Sequence, residues 1–273
     1  MITSRDLSRQ IVVLLSAILG LVGAFIGSGA AGGNAVETAS GGALAADATP
    51  IAPGGPAFSI WTPIYAGLVL YAIWQLLPKQ KSDPRQRRLG YPIAASLLLN
   101  AAWILCVQYD LLWLTIPVIV VLLAVLVWTF RIILDSRPRT LVETVLVDGT
   151  LGLYLGWVCV ATAANITAVL VHAGFNGFGL AADVWSVVII AVAGLVGVFI
   201  AVAGQGRLTP TIALCWGLSW VAVARLTGDL LSTPTAIAAI VAVVVVVAVT
   251  VVLRIRAPRR LGETAPVVAS ARA

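Results

Sequence analysis

The stretch Tyr154–Asn165 reads YLGWVCVATAAN and lies inside an apolar run from 141 to 168. At 100° per residue, four of its residues fall within about 80° of one another and form one helical stripe. These four are Tyr154, Trp157, Ala161 and Asn165. Because an unpaired amide is costly in hydrocarbon, Asn165 must find a hydrogen-bond partner there. The stretch therefore predicts a buried helix with one polar and aromatic face.

The composition places this helix in a membrane. The chain has 273 residues, of which 60% are hydrophobic and 10% charged, too little polarity for a soluble protein of this length. The apolar runs reach membrane-spanning length and show no alternating strand pattern, so we predict an all-α polytopic membrane helix bundle. Its eight spans cover approximately residues 11–30, 57–77, 91–108, 111–134, 141–168, 182–203, 210–226 and 235–253.

The basic residues predict the orientation of the bundle. If eight helices alternate, every Lys and Arg except Arg225 falls on one side, which predicts that both termini are cytoplasmic. The Arg-rich composition resembles that of high-GC bacteria, so we expect a bacterial inner membrane. The basic residues are divided among short loops, which favours contact with the lipid bilayer and argues against nucleic-acid binding. A cleaved signal peptide is an alternative for the first span.

Two further helices carry similar side chains at helical spacing. Span two has Trp61 and Tyr65, and span three has Asn100 and Trp103. At 1.5 Å per residue these side chains and the fifth-span stripe lie in the outer half of the membrane, beneath loop 31–56. The pattern predicts a small-molecule pocket with the loop as its cover. The alternatives are a disordered loop, an aromatic belt at the interface, and a helix–helix hydrogen bond for Asn100.

Three motifs carry a family resemblance. Trp61-Thr-Pro-Ile-Tyr65, Leu99-Asn100-Ala-Ala-Trp103 and the Tyr154–Asn165 stretch resemble the W-x-x-[LI]-Y, L-N-x-x-W and Y-L-x-W-x-x-[FY]-A-x-x-L-N motifs of the TspO/MBR tryptophan-rich sensory proteins. The resemblance covers residues 11–170. It implies a five-helix bundle that binds tetrapyrroles, and sterols in some members, beneath the first long loop. Ligand contacts would come from Trp61, Asn100 and Trp157.

The chain departs from the family pattern at three positions in the fifth span. Leu153 stands in place of Pro, Val160 in place of an aromatic residue, and Ala164 in place of Leu. We expect the smaller side chain at 160 to alter the shape of the pocket. We divide the chain into a TspO-like core of five helices (1–170), three additional transmembrane helices (171–260) and a disordered cytoplasmic tail (261–273).

These observations predict a membrane protein that binds a flat hydrophobic ligand, such as a porphyrin or haem-related compound, for sensing, transport or regulation. No cofactor or metal is required. The candidate ligand-binding residues are Trp61, Tyr65, Asn100, Trp103, Tyr154, Trp157, Ala161 and Asn165. A porphyrin-degrading enzyme is an alternative, although no hydrolytic or metal-binding motif is present in the sequence.

Ionisable residues inside the spans leave other interpretations open. Asp148 is a candidate proton relay for a proton-coupled transporter, or a structural acid bonded to another helix. We expect Glu143 to pair with Arg137 or Arg139, and Arg225 to pair with an outer acidic residue or with a ligand carboxylate.

Small residues predict close helix packing. Gly23 and Gly27 form one GxxxG pair, and Gly152 and Gly156 form another. We expect both pairs to pack within the chain, with a homodimer interface as the alternative.

Overall fold

Eight long helices form the protein in a computed structural model that describes residues 4–32 and 34–256. Each of them, with the short helical segments that extend α2 and α5, is long and apolar enough to cross a membrane, and the described residues contain no strand, which confirms the predicted eight-helix, all-α fold. The helices are α1 Ser4–Gly27, α2 Trp61–Trp74, α3 Pro84–Gln108, α4 Leu112–Asp135, α5 Thr150–His172, α6 Ala182–Ala203, α7 Leu208–Thr227 and α8 Thr233–Arg256.

Short helical segments extend two of these helices. A 3₁₀ segment, Gly55–Ile60, leads into α2. The segment Leu141–Glu143 and a π-helical stretch, Thr144–Gly149, lead into α5. A single helical turn, Pro78–Lys81, connects α2 to α3. The predicted tail 261–273 lies outside the described residues.

Helix α5 is the centre of the bundle. It packs against α2, α4, α6 and α7, while α1 packs against α2 and α3, and α3 against α4. Helix α8 covers α6 and α7. The fifth helix is therefore shared between the five N-terminal helices and the three C-terminal ones.

Both glycine pairs face other helices of the same chain. A Cβ atom at Gly23 would lie 3.1 Å from the Ala101 side chain of α3. A Cβ atom at Gly156 would lie 2.1 Å from the carbonyl oxygen of Pro210 in α7. The glycines allow these backbones to approach closely. A homodimer stays a prediction.

Helix α3 begins at Pro84, earlier than the expected residue 91. The Asp83 carboxylate caps it by accepting hydrogen bonds from the backbone N–H groups of Arg85 (2.8 Å) and Gln86 (3.1 Å). Proline is favoured at the first helical position because it has no N–H to satisfy. The basic segment 78–90 between predicted spans two and three is therefore largely helical, and Arg85 is buried.

The two ends of the bundle differ in charge. The basic end contains the N-termini of α1, α3, α5 and α7 and the C-terminus of α8. The loop end is the opposite one, where the segment 28–60 joins α1 to α2. In the described part of the chain Arg225 is the one Lys or Arg at the loop end.

Candidate functional site

An aromatic cluster lies near the loop end between α2 and α5. The ring centroids of Trp61 and Trp157 are 6.3 Å apart, and Trp61 also contacts Tyr65 at 5.2 Å and Tyr154 at 5.6 Å. Phe58 meets Trp157 edge to face at 5.6 Å. The structure therefore brings the predicted indoles and phenols of two helices together.

A cavity of 320 Å³ opens beside this cluster. Four predicted residues line it, namely Trp61, Tyr65, Asn100 and Trp103. The other lining residues come from the end of α1, the following loop and neighbouring positions: Ala24, Gly27, Ser28, Val36, Phe58, Thr62 and Ile104. The volume lies at the lower end of the range for small-molecule pockets, about 300–1,000 Å³.

A second cavity of 50 Å³ lies deeper under the loop. Trp103 lines it together with the predicted α5 residues Trp157, Ala161 and Asn165. Val36, Phe58 and Trp103 line both cavities and stand between them. Tyr154 lines neither, because it is buried and donates its hydroxyl to the backbone oxygen of Ser96 at 3.1 Å.

The two predicted asparagines have different surroundings. The Asn165 carboxamide oxygen accepts from Trp103 Nε1 at 3.2 Å, and its nitrogen donates to Thr115 Oγ1 at 3.0 Å, so both ends are engaged. The Asn100 nitrogen donates to the Tyr65 hydroxyl. Within the described residues the Asn100 oxygen has no hydrogen-bond partner, and Asn100 lines the larger cavity. Asn165 joins helices, whereas Asn100 keeps an acceptor free.

The indole N–H of Trp157 is also unpaired. Trp157 is only 1% exposed, and its Nε1 atom has no partner among residues 4–32 and 34–256. Most buried polar groups in proteins are hydrogen-bonded, since an unsatisfied one costs about 1–3 kcal/mol. This donor therefore needs an explanation beyond packing.

The loop expected as a cover lies over the smaller cavity. It is built from successive turns and includes a short 3₁₀ segment, Ser40–Gly42. Its residues that line the smaller cavity are Val36, Ala43, Leu44, Ala45, Thr49, Ala52 and Pro53. Thr49 and Ala52 are buried. The loop thus occupies the position that the cover interpretation requires.

Val160 does not shape either cavity, contrary to expectation. It is buried against α7, where a Cβ atom at Gly217 would lie 3.0 Å from Val160 Cγ1. An aromatic side chain at 160 would collide with α7, which explains the small residue. Ala164 does line the smaller cavity, so that departure from the family pattern leaves more space there.

A buried ion-pair network closes the basic end. Arg85 pairs with Glu143 at 2.9 Å and with Asp148, and Arg207 pairs with Asp148 at 3.0 Å. The predicted side-chain partners of Glu143 were wrong, because the early start of α3 brings Arg85 to it; Arg139 donates only its backbone N–H.

Asp148 has the surroundings of a structural acid. It joins the start of α3, the π-helical stretch before α5 and the residue that precedes α7. It lines neither cavity of the aromatic site. The proton-relay role stays a prediction.

Arg225 has partners that the sequence did not predict. Its guanidinium donates to the backbone oxygens of Thr49, at 3.1 Å, and Ala46, both in the loop. The expected pairing with an outer acidic residue is wrong, as no carboxylate of the described chain forms an ion pair with Arg225. The only sequence signal was its isolation as a basic residue at the loop end.

A family model described as TSPO-like protein matches residues 10–252. The match includes α6, α7 and α8, beyond the 11–170 segment covered by the three motifs. No curated protein and no solved structure matches the chain.

Proposed function

The chain belongs to the TSPO-like protein family as a multi-pass membrane protein, and from this we propose that it binds a flat hydrophobic ligand under its first loop. The ligand class is a porphyrin or a related tetrapyrrole, and binding serves sensing, transport or regulation. The protein resides in a bacterial inner membrane with its basic end toward the cytoplasm, in keeping with the positive-inside rule.

The unpaired indole N–H of Trp157 is the observation that carries this proposal. A buried donor without a partner is costly, and a ligand acceptor would remove that cost. Trp157 also lies between the aromatic rings of Phe58 and Trp61, which would contact the faces or edges of a flat ring system. Donor and aromatic surface together favour a planar ligand that carries a polar atom.

The free oxygen of Asn100 gives the site a second polar group. It lines the larger cavity beside Tyr65, whose hydroxyl accepts from the Asn100 nitrogen and keeps its own hydrogen available for donation. The pair would therefore offer one acceptor and one donor to the ligand edge. This arrangement suits a ring with nitrogen or carbonyl groups at its periphery.

A tetrapyrrole would occupy both cavities. The side chain of Phe58 lines both spaces and is only partly buried, so its rotation would join the two. The ring system would then lie between α2, α3 and α5, with the loop above it.

The test is a titration of the purified protein with protoporphyrin IX, followed by quenching of tryptophan fluorescence and by the porphyrin absorbance band. Trp157→Phe keeps an aromatic ring and removes the N–H, so we expect binding about five- to tenfold weaker. Trp113→Phe is the matched control, because Trp113 is 62% exposed and lies on α4 away from both cavities. Equal affinity in Trp157→Phe, in Asn100→Leu and in the wild type would refute the site.

A further inference from the structure

The loop segment 44–57 has one face toward the smaller cavity and another toward α7. Thr49, Ala52 and Pro53 line the cavity, with Trp157 and Asn165 on its other side. The opposite face of the segment borders α7, where Trp220 and Arg225 lie. Helix α7 therefore lies behind the loop, and none of its residues lines the smaller cavity.

Three residues of α7 hold this segment through its backbone. Trp216 Nε1 donates to the carbonyl oxygen of Ala57 at 2.9 Å. The carbonyl oxygen of Trp220 accepts from the N–H of Gly54 at 3.2 Å. Arg225 donates to the carbonyl oxygens of Thr49 and Ala46. Because all these bonds go to backbone atoms, they fix the path of the loop itself.

Close packing alone does not hold the loop against α7. A cavity of 290 Å³ remains between the two, lined by loop residues 46, 47, 54 and 56 and by α7 and its C-terminal continuation. The segment has space into which it could shift. Apolar contact contributes as well, because Ile51 is buried in one cluster with Leu218 and Val221 of α7, and the hydrogen bonds add to this contact in positioning the segment over the ligand site.

Arg225 makes the strongest of these connections. Its side chain is 1% exposed, and its charge forms no ion pair with a carboxylate of residues 4–32 or 34–256. A buried arginine near a membrane is costly and is normally paired or bonded to carbonyl oxygens. Here two loop carbonyls accept from it, and hydrogen bonds that involve a charged donor are stronger than neutral ones.

We propose that Arg225, with Trp216, is a positioning residue that clamps the loop segment 44–57 over the ligand cavity and sets the rates of ligand entry and release. The clamp is a property of the loop, whereas its effect on a ligand rests on the function proposed above. A looser loop would let a ligand pass more easily in both directions. Both the association rate and the dissociation rate should then rise, and the dissociation constant, which is their ratio, should change less.

Hydrogen–deuterium exchange of the full-length protein in detergent tests the clamp without a ligand. In Arg225→Met, exchange of the loop amides at Ala52, Gly54 and Ala57 should be faster by about tenfold to a hundredfold, the factor expected for lost charge-assisted bonds. Exchange in α4 should be unchanged. Arg225→Lys keeps a charged donor but not the planar fork, so its loop exchange should lie between the two. Loop exchange equal to that of the wild type in Arg225→Met would overturn the proposal.

Trp216→Phe provides a second variant should Arg225→Met not fold. It removes only the Nε1 donor and should raise exchange at and around Ala57, whereas Trp113→Phe should not. Unchanged exchange near Ala57 would likewise overturn the clamp.

Stopped-flow binding of protoporphyrin IX then tests the effect on rates. Both association and dissociation should be faster in Arg225→Met, with the dissociation constant changed less than either rate. A weaker complex with an unchanged association rate would overturn the role in entry. If the wild type binds no porphyrin, the proposed function fails while the exchange experiment still decides the clamp.

Discussion

Trp103 donates its indole N–H to the carboxamide oxygen of Asn165 across 3.2 Å and so joins α3 to α5. The Asn165 nitrogen continues the connection to Thr115 of α4. Three helices thus meet at one amide, which lies at the edge of the smaller cavity. Asn100, which lies on α3 with Trp103, has a carboxamide oxygen that accepts no hydrogen bond from the described residues.

This difference predicts that two similar substitutions impair different properties of the protein. Asn165→Leu should lower the unfolding free energy by about 1–2 kcal/mol, because Trp103 and Thr115 lose their partner. Asn100→Leu should mainly weaken porphyrin binding. Thermal unfolding in detergent and a porphyrin titration of both variants measure the two effects. The assignment is wrong if Asn165→Leu is as stable as the wild type, or if the two variants lose binding equally without loss of stability.

Close contact between α5 and α7 makes Gly156 intolerant of a side chain. Gly156→Ala would place Cβ 2.1 Å from the Pro210 carbonyl oxygen, so the helices must separate. We expect a loss of about 1–3 kcal/mol. Gly149→Ala is the matched control, since the nearest atom to its Cβ is the Thr144 oxygen at 3.5 Å. Urea unfolding should show an unchanged or raised stability for the control, because alanine favours a helix.

Arg85 should be essential for stability. Arg85→Leu leaves Glu143 and Asp148 without their shared partner in a buried site, which should cost about 3–5 kcal/mol. Arg88→Leu breaks only a 3.4 Å pair with Asp135 in which both side chains are more than half exposed, and it should have little effect. Comparison of the unfolding transitions of Arg85→Leu and Arg88→Leu tests this difference in stability. Similar stabilities would mean that the network contributes no more than an exposed pair.

Two substitutions toward the family pattern should separate packing from binding. Val160→Phe should destabilise the protein by about 1–3 kcal/mol, because the ring meets Gly217 of α7. Ala164→Leu should fill the smaller cavity, with lower porphyrin affinity and little loss of stability. Unfolding and titration of both variants test this. A stable Val160→Phe protein would show that α7 can move aside.

Hydropathy and helical spacing were enough to predict the eight-helix fold. Apolar runs must span the membrane as helices, so the ends of all eight spans could be located to within seven residues. The stripe on α5 and the pairs on α2 and α3 share a level because all three helices have a fixed rise. Trp61, Asn100 and Trp157 therefore converge as their spacing predicted, while their role in binding stays a prediction.

The partners of individual polar groups could not be predicted in the same way. Asn100 and Asn165 look alike in the sequence, and only the neighbouring helices decide which amide is fully engaged. The extension of α3 was signalled by Asp83-Pro84, but the charges that follow resembled a solvated loop. Arg225 bonds to carbonyl groups more than 170 positions away along the chain, and no local pattern encodes such contacts.

The ion-pair network closes the bundle at its basic end, opposite the loop end. Arg85 and Asp148 connect three helices below the aromatic site, so the bundle is closed on that side, while the loop segment 44–57 covers the opposite end. A ligand that enters at the loop end would therefore leave at the loop end unless the ion-pair network dissociated.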